Sequence, residues 1–231
     1  MEKVKAHEKF SGIYETINDD GRVRFATLNL TPGRKVYGEQ LISYLDKEYR
    51  IFDPFRSKLA AALLKGLSIL PIQVGHKVLY LGASTGTTAS HVSDIVSVEG
   101  HVYCVEFSPR VMRELINNVC AYRENMSPIL ADARMPNKYR MLVENVHDIY
   151  CDVAQPEQAK LLADNADMFL NRGGWIMLAV KARSIDVTKE PTEVYRMEID
   201  VLKERGFSVK ETIHLEPYDK AHVMIVAQFV G

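Results

Sequence analysis

Nowhere in the chain do apolar residues run on for the roughly eighteen positions that a membrane-crossing helix needs, so no transmembrane helix is expected. The opening residues, MEKVKAHEKF, lack the apolar core of a secretory signal. Cysteine is scarce. Cys104, Cys120 and Cys151 are odd in number, lie in apolar segments and show no CxxC spacing. They read as reduced, buried small hydrophobes of a cytosolic protein, which argues against both a disulfide scaffold and a thiolate metal site. The 7 histidines are scattered without HExxH or paired-ligand spacing, and no metal is expected. Neither sign of charge is in excess: 29 Lys and Arg against 30 Asp and Glu leave a formal net charge of −1. Such a chain does not grip naked nucleic acid by overall charge, so an RNA substrate would need other molecules to supply much of the phosphate contact.

What is present is ordinary for a folded chain: 231 residues, 47% hydrophobic and 26% charged, enough for one α/β domain and a small appendage. Residues 1–54 read as a small, mostly antiparallel β unit. FSGIYETI and RVRFATLNL are β-rich runs joined by the turn signal Asn18-Asp19-Asp20-Gly21, and the following stretch has Pro, Gly and aromatic punctuation but no long helical period. Residues 55–231 form the second unit. PFRSKLAAALLKGLSIL carries apolar residues at helical spacing, with Pro54 where the helix begins. Strand-like and helix-like runs then alternate: KVLYLGA before STGTTASHVSDIVS, HVYCVEF before SPRVMRELINNVCAY, SPILADA, HDIYCDVA. PEQAKLLADNADMFLN reads as an amphipathic helix ended by Arg172-Gly173-Gly174, and WIMLAVKA as a buried strand. A polar-faced helix is expected over roughly Glu193 to Arg205. FSVKETIHLE and HVMIVAQFV, joined only by Pro217-Tyr218-Asp219-Lys220, must pair as a hairpin. The pattern predicts a Rossmann-like, doubly wound α/β fold with a seven-stranded, mostly parallel sheet and an antiparallel last strand.

The first strand of this unit ends in Leu81-Gly82-Ala83-Ser84-Thr85-Gly86-Thr87-Thr88 and runs into a helix. Glycines there let a ligand come close, and helix N-terminal N–H groups and small hydroxyls bond its polar atoms. The next strand ends at Glu106, placed to accept both ribose hydroxyls of a nucleotide. Asp132 ends the third, where an adenine amino group would sit. Ordinary strand-to-helix turns with solvated acids are the plainer alternative, but three such sites at successive carboxyl ends define one crevice. The turn also spells G-x-S-x-G, and Ser84, Asp152 and His222 fall in hydrolase order. Against that reading, the turn follows the first major strand, no HGGG-like oxyanion segment exists, and Glu106 would go unexplained. A dinucleotide oxidoreductase is disfavoured because the turn lacks a full G-x-G-x-x-G.

Four polar residues stand out further. Asp152 ends the strand HDIYC, and Lys181 ends WIMLAV, where a lysine emerging from a buried strand is costly unless used or paired. Lys58 lies on the helix before the sheet, and His222 opens the last strand. Singly, each has a bland explanation as a surface charge or turn residue. Together at the carboxyl edge of one sheet they suggest a proton-handling cluster.

Asp53-Pro54-Phe55-Arg56-Ser57-Lys58-Leu59-Ala60-Ala61, Tyr80 to Thr88, Val105-Glu106-Phe107-Ser108 and Asp152-Val153-Ala154-Gln155-Pro156 together resemble fibrillarin, especially its archaeal form, and the resemblance runs from end to end. It implies a class I methyltransferase domain and a box C/D ribonucleoprotein enzyme that methylates ribose 2′-hydroxyls in rRNA and tRNA. Implied partners are a box C/D guide RNA, a Nop-type scaffold protein and a kink-turn-binding ribosomal-type protein, in the cytoplasm of an archaeal cell. S-adenosylmethionine contacts would come from Gly82, Ala83 and Ser84, Thr87 and Thr88, Glu106 and Phe107, Asp132 and Ala133, and Asp152, Val153, Ala154 and Gln155. The family's Lys-Asp-Lys-His tetrad maps onto Lys58, Asp152, Lys181 and His222, with Lys181 expected as the base, its proton loosened by burial and by neighbouring positive charge. Asp219-Lys220-Ala221 stands before His222 where relatives often carry an acidic–basic–Asp run, a departure from the family pattern beside that member of the tetrad.

Overall fold

The computed structural model describes residues 3–17 and 21–231; the turn expected at Asn18, Asp19 and Asp20 lies outside them. Five short strands come first: β1 (Val4–Ala6), β2 (Ile13–Ile17), β3 (Val23–Leu28), β4 (Leu41–Tyr44) and β5 (Lys47–Ile51). They form an antiparallel sheet in the order β1-β2-β3-β5-β4. The β4–β5 reversal is made by Leu45 and Asp46, both with positive φ (48° and 59°). That is the backbone a two-residue hairpin needs, although neither residue is the Gly or Asn that usually marks it.

The second sheet follows, with its helices. In chain order they are α1 (Lys58–Leu64), β6 (Lys77–Leu81), α2 (Thr87–Val96), β7 (His101–Glu106), α3 (Pro109–Asn118), β8 (Met126–Leu130) and β9 (Val146–Cys151). Next come α4 (Gln158–Phe169), β10 (Leu170–Lys181), a single turn α5 (Ala182–Ile185), α6 (Pro191–Glu204), β11 (Phe207–His214) and β12 (His222–Phe229). The strand order is β11-β12-β10-β9-β6-β7-β8, and only β12 runs against the others. The expected mostly parallel seven-stranded sheet with an antiparallel last strand is therefore present. Its order reverses on either side of β6, and such a switch point opens a crevice at the carboxyl ends of the strands. One apolar cluster packs α1, α2 and α3 on one face, and a second packs α4 and α6 on the other.

Two boundaries differ from expectation. Helix α1 starts at Lys58 rather than at Pro54, because Ser57 is its N-cap and accepts a 3.4 Å hydrogen bond from the Ala60 N–H. Helix α4 stops at Phe169, ahead of Arg172-Gly173-Gly174, which fall inside β10 where its register with β9 breaks between Leu170 and Trp175. All three cysteines are free as expected, but Cys120 is half-buried where Cys104 and Cys151 are buried.

The two sheets are joined by an ionic network that no sequence pattern announces. Arg50 of β5, fully buried, donates to Glu39 (2.7 Å), to Asp94 of α2 (2.8 Å) and to Ser90 (2.8 Å). Arg123 reaches the other oxygen of Asp94 (2.5 Å), and the Thr27 hydroxyl donates to Asp94 (2.8 Å). His91 lies between the Thr27 and Tyr37 hydroxyls, and burial with two nearby guanidinium groups keeps its imidazole well below the usual range, hence neutral. Buried charges survive only when matched in this way. Among the described residues no helix is long and apolar enough to cross a membrane.

Candidate active site

The crevice is built around the turn after β6. Gly82 sits at φ +81°, and a Cβ there would come within 2.6 Å of the Asp152 carbonyl oxygen, so only glycine fits. Ser84 is also left-handed (φ 51°), and Gly86 (φ 93°) leads into the first turn of α2. The Asp152 N–H donates to the Leu81 carbonyl (3.0 Å), extending the ladder one residue past the end of β9 and fixing the Asp152 backbone against the turn.

Glu106, last residue of β7, is held by two backbone donors: Ser84 N–H to Oε2 (3.1 Å) and Ser108 N–H to Oε1 (2.9 Å). Each oxygen keeps a second lone pair for a ligand hydroxyl. Phe107 beside it is 67% exposed, a large ring left facing the crevice. Asp132 follows β8 and pairs with Arg134 (2.6 Å), whose hydrogen bond holds the carboxyl below its usual range. Gly82, Glu106, Phe107, Asp132, Val153 and Gln155 line a cavity of about 240 Å³, joined at its wall by Ser84, Ala133 and Ala154.

A second cavity of about 320 Å³ shares Gly82, Ser84 and the Asp152–Ala154 segment with the first. Ala83, Thr87, Thr88, Lys58 and Lys181 also line it, as do Arg56 and Tyr80, which sequence reasoning did not single out. The Lys58 amine lies 2.9 Å from both oxygens of Asp152, and the two side chains are 22% and 23% exposed. Lys181 ends β10 in an exposed position and forms no ion pair among the described residues, so the burial expected of it is not seen. Its backbone N–H donates to Gln158 Oε1 (3.2 Å), while Gln158 Nε2 donates to the Val153 carbonyl (2.8 Å). Gln158, fully buried, thus ties the wall shared by both cavities to the strand that carries Lys181. A glutamine at the start of a helix gives no sequence signal for such a role.

His222 is placed differently from the other three tetrad candidates. It is 6% exposed, does not line either cavity, and stands cross-strand from Lys181. Its Nδ1 faces Asp219 and the Lys220 carbonyl, not Asp152. The Ser84–His222–Asp152 hydrolase arrangement is therefore not assembled.

A carboxylate held by two backbone N–H groups beside an exposed aromatic ring, next to a pocket holding two amines and an aspartate, offers the polar and apolar partners that a nucleoside with a charged tail would need. With this strand order, fold and site define an S-adenosylmethionine-dependent methyltransferase of the doubly wound kind. A family profile described as Fibrillarin matches residues 4–231. A curated fibrillarin-like rRNA/tRNA 2′-O-methyltransferase of Staphylothermus marinus is 57% identical over 226 residues, 98% of this chain and 96% of that one. Fibrillarin from Aeropyrum pernix, solved with natively bound S-adenosyl-L-methionine, superposes with a TM-score of 0.91 at 53% identity over 97% of both chains. The chain in a fibrillarin/Nop5p complex superposes with a TM-score of 0.84 at 39% identity, over 96% of this chain and 99% of that one. The chain belongs to the fibrillarin family.

Proposed function

We propose that the chain methylates ribose 2′-hydroxyls of rRNA and tRNA with S-adenosylmethionine, directed by a box C/D guide RNA within a particle that includes a Nop-type scaffold and a kink-turn-binding protein. The cytoplasm of an archaeal cell is the place this reading assigns, with residues 1–54 as the accessory domain and 55–231 as the methyltransferase domain. One observation carries it: a cavity lined by Glu106, Phe107 and Asp132 and a Lys58–Asp152–Lys181 pocket share a single wall at the tip of β6.

S-adenosylmethionine, when bound, supplies an electrophilic methyl group on a sulfonium. Glu106 takes the cofactor ribose, Phe107 flanks its adenine, and Asp132 with Ala133 closes the far end. Gly82 to Ser84, Thr87, Thr88 and the Asp152–Gln155 segment hold the amino-acid tail and the reacting end. A ribose hydroxyl is almost fully protonated at neutral pH, so a base must take its proton as the methyl arrives. Lys181 is assigned as that base on its position alone, unpaired and lining the same pocket as the Lys58–Asp152 pair. Asp152 holds Lys58 as a fixed cation beside the ribose, and in-line approach depends on that placement.

Lys181→Ala should abolish turnover in a particle reconstituted with scaffold, kink-turn protein and guide, while calorimetric affinity for S-adenosylmethionine stays within a few-fold. Wild-type rates in that variant would remove Lys181 from the role.

A further inference from the structure

The turn between β11 and β12 carries a second carboxylate at the site, one that no sequence motif marks. Asp219 Oδ1 lies 2.8 Å from His222 Nδ1, and Asp219 Oδ2 lies 3.8 Å from the Lys58 amine. The Lys220 carbonyl oxygen is also 2.8 Å from Nδ1. Both partners of Nδ1 are acceptors, so the ring proton sits on Nδ1 and is donated to them. Burial holds the imidazole below its ordinary range, outweighing the Lys220 carbonyl and the Asp219 charge, which act in the opposite sense; Lys58 lowers it and Asp152 raises it. A neutral ring with its only proton on Nδ1 leaves Nε2 with a free lone pair.

Asp219 is itself well placed. Its N–H and that of Tyr218 both donate to the Leu215 carbonyl (3.1 and 2.9 Å), and the Ala221 N–H donates to Glu216 (2.9 Å). Ala221 is held at φ 57°, which bends the chain so that His222 opens β12 directly opposite Lys181. Directly opposed side chains on neighbouring strands lie within reach of one another.

We propose that Asp219 is a positioning residue of the methyl-transfer site, fixing the tautomer of His222 with one oxygen and steadying the Lys58–Asp152 pair with the other. The proposal rests on the ribose-methylation reading above. In it, the ribose O–H bond breaks and Lys181 takes the proton as the ribose oxygen bonds to the methyl carbon and the methyl–sulfur bond breaks, its electron pair leaving with sulfur; His222 Nε2 accepts a hydrogen bond from the Lys181 amine and so aims the amine lone pair at the ribose hydroxyl. An amide at position 219 can accept from Nδ1 or donate to it, so either tautomer forms and the acceptor nitrogen is lost in part of the population.

The test uses Asp219→Asn and Asp219→Glu in the reconstituted particle, with methylation rates followed from acid to alkaline pH. For Asp219→Asn, kcat should fall on the order of a hundred-fold, with KM for substrate RNA and affinity for S-adenosylmethionine unchanged. Its acid limb should move to lower pH, because the carboxylate that raises the imidazole is gone. Asp219→Glu should recover most of the rate. In the isolated protein, the imidazole ¹⁵N resonances of His222, assigned with His222→Gln, should report Nδ1 protonated in the wild type and a mixture in Asp219→Asn. Wild-type kcat and pH profile in Asp219→Asn, or an unchanged tautomer, would overturn the proposal. A wild-type particle that leaves ribose unmethylated would overturn the functional reading instead.

Discussion

Single residues at the crevice divide by how they announce themselves. Gly82, Glu106 and Asp132 were legible because each ends a strand-like run, and a parallel sheet brings such ends together. Asp219 and Gln158 were not, because their contacts join segments far apart in the chain, and Arg56 and Tyr80 reach the second cavity only through the fold. The burial of His222 is not foreseeable from its position at the head of a strand. Gly82 gives a residue-scale prediction. In Gly82→Ala a methyl group meets the Asp152 carbonyl, a backbone atom tied to Leu81, at a left-handed position. Stability should fall by about 1–3 kcal/mol in urea titration. Calorimetry should show S-adenosylmethionine binding weakened more than ten-fold, roughly the 1.4 kcal/mol that one decade represents.

Among the elements, the alternation of strands and helices from β6 onward was readable because apolar runs of period two and 3.6 are separated by clear Gly and Pro breaks. The β4–β5 reversal was hidden because Leu45 and Asp46 adopt positive φ without the usual turn residues. The start of α1 was misplaced because a proline is a visible helix signal and a serine three residues later is a quieter one, yet the serine makes the cap. Ser57 does more than begin a helix. Its Oγ also accepts from the Thr88 hydroxyl (2.9 Å), and the next residue is Lys58, so the cap sets where the Lys58–Asp152 pair stands. Ser57→Ala should cost about 1 kcal/mol in chemical denaturation. It should also lower methylation by the reconstituted particle more than it lowers S-adenosylmethionine affinity, since Thr88 keeps its place in the helix. Equal losses in both would show that the cap serves the cofactor turn alone.

For the whole molecule, the doubly wound sheet could be read from the sequence, whereas the joint between the two sheets could not. Arg50, Glu39, Asp94 and Arg123 look like surface charges in sequence and prove to be buried and matched. Burial alone raises the Glu39 carboxyl, but Arg50 and the Tyr37 and Val36 N–H groups together bring it below its ordinary range. Arg50→Met would strand that carboxylate and leave Asp94 with one guanidinium fewer, at a cost of about 3–5 kcal/mol measurable as a lower urea midpoint. A loss under about 1 kcal/mol, the scale of an exposed ion pair, would mean the network adds little. The near-balanced net charge agrees with the proposed reading, in which the RNA is held largely by other members of a particle. The reversal of β12 has a practical corollary. Running opposite to its neighbours, that strand begins at the reactive rim with His222 and ends at the far rim, where Gly231 comes to rest against Gly206. A dye or affinity handle joined after Gly231 would therefore trail from the side remote from the chemistry, leaving the crevice open to guide, target and donor.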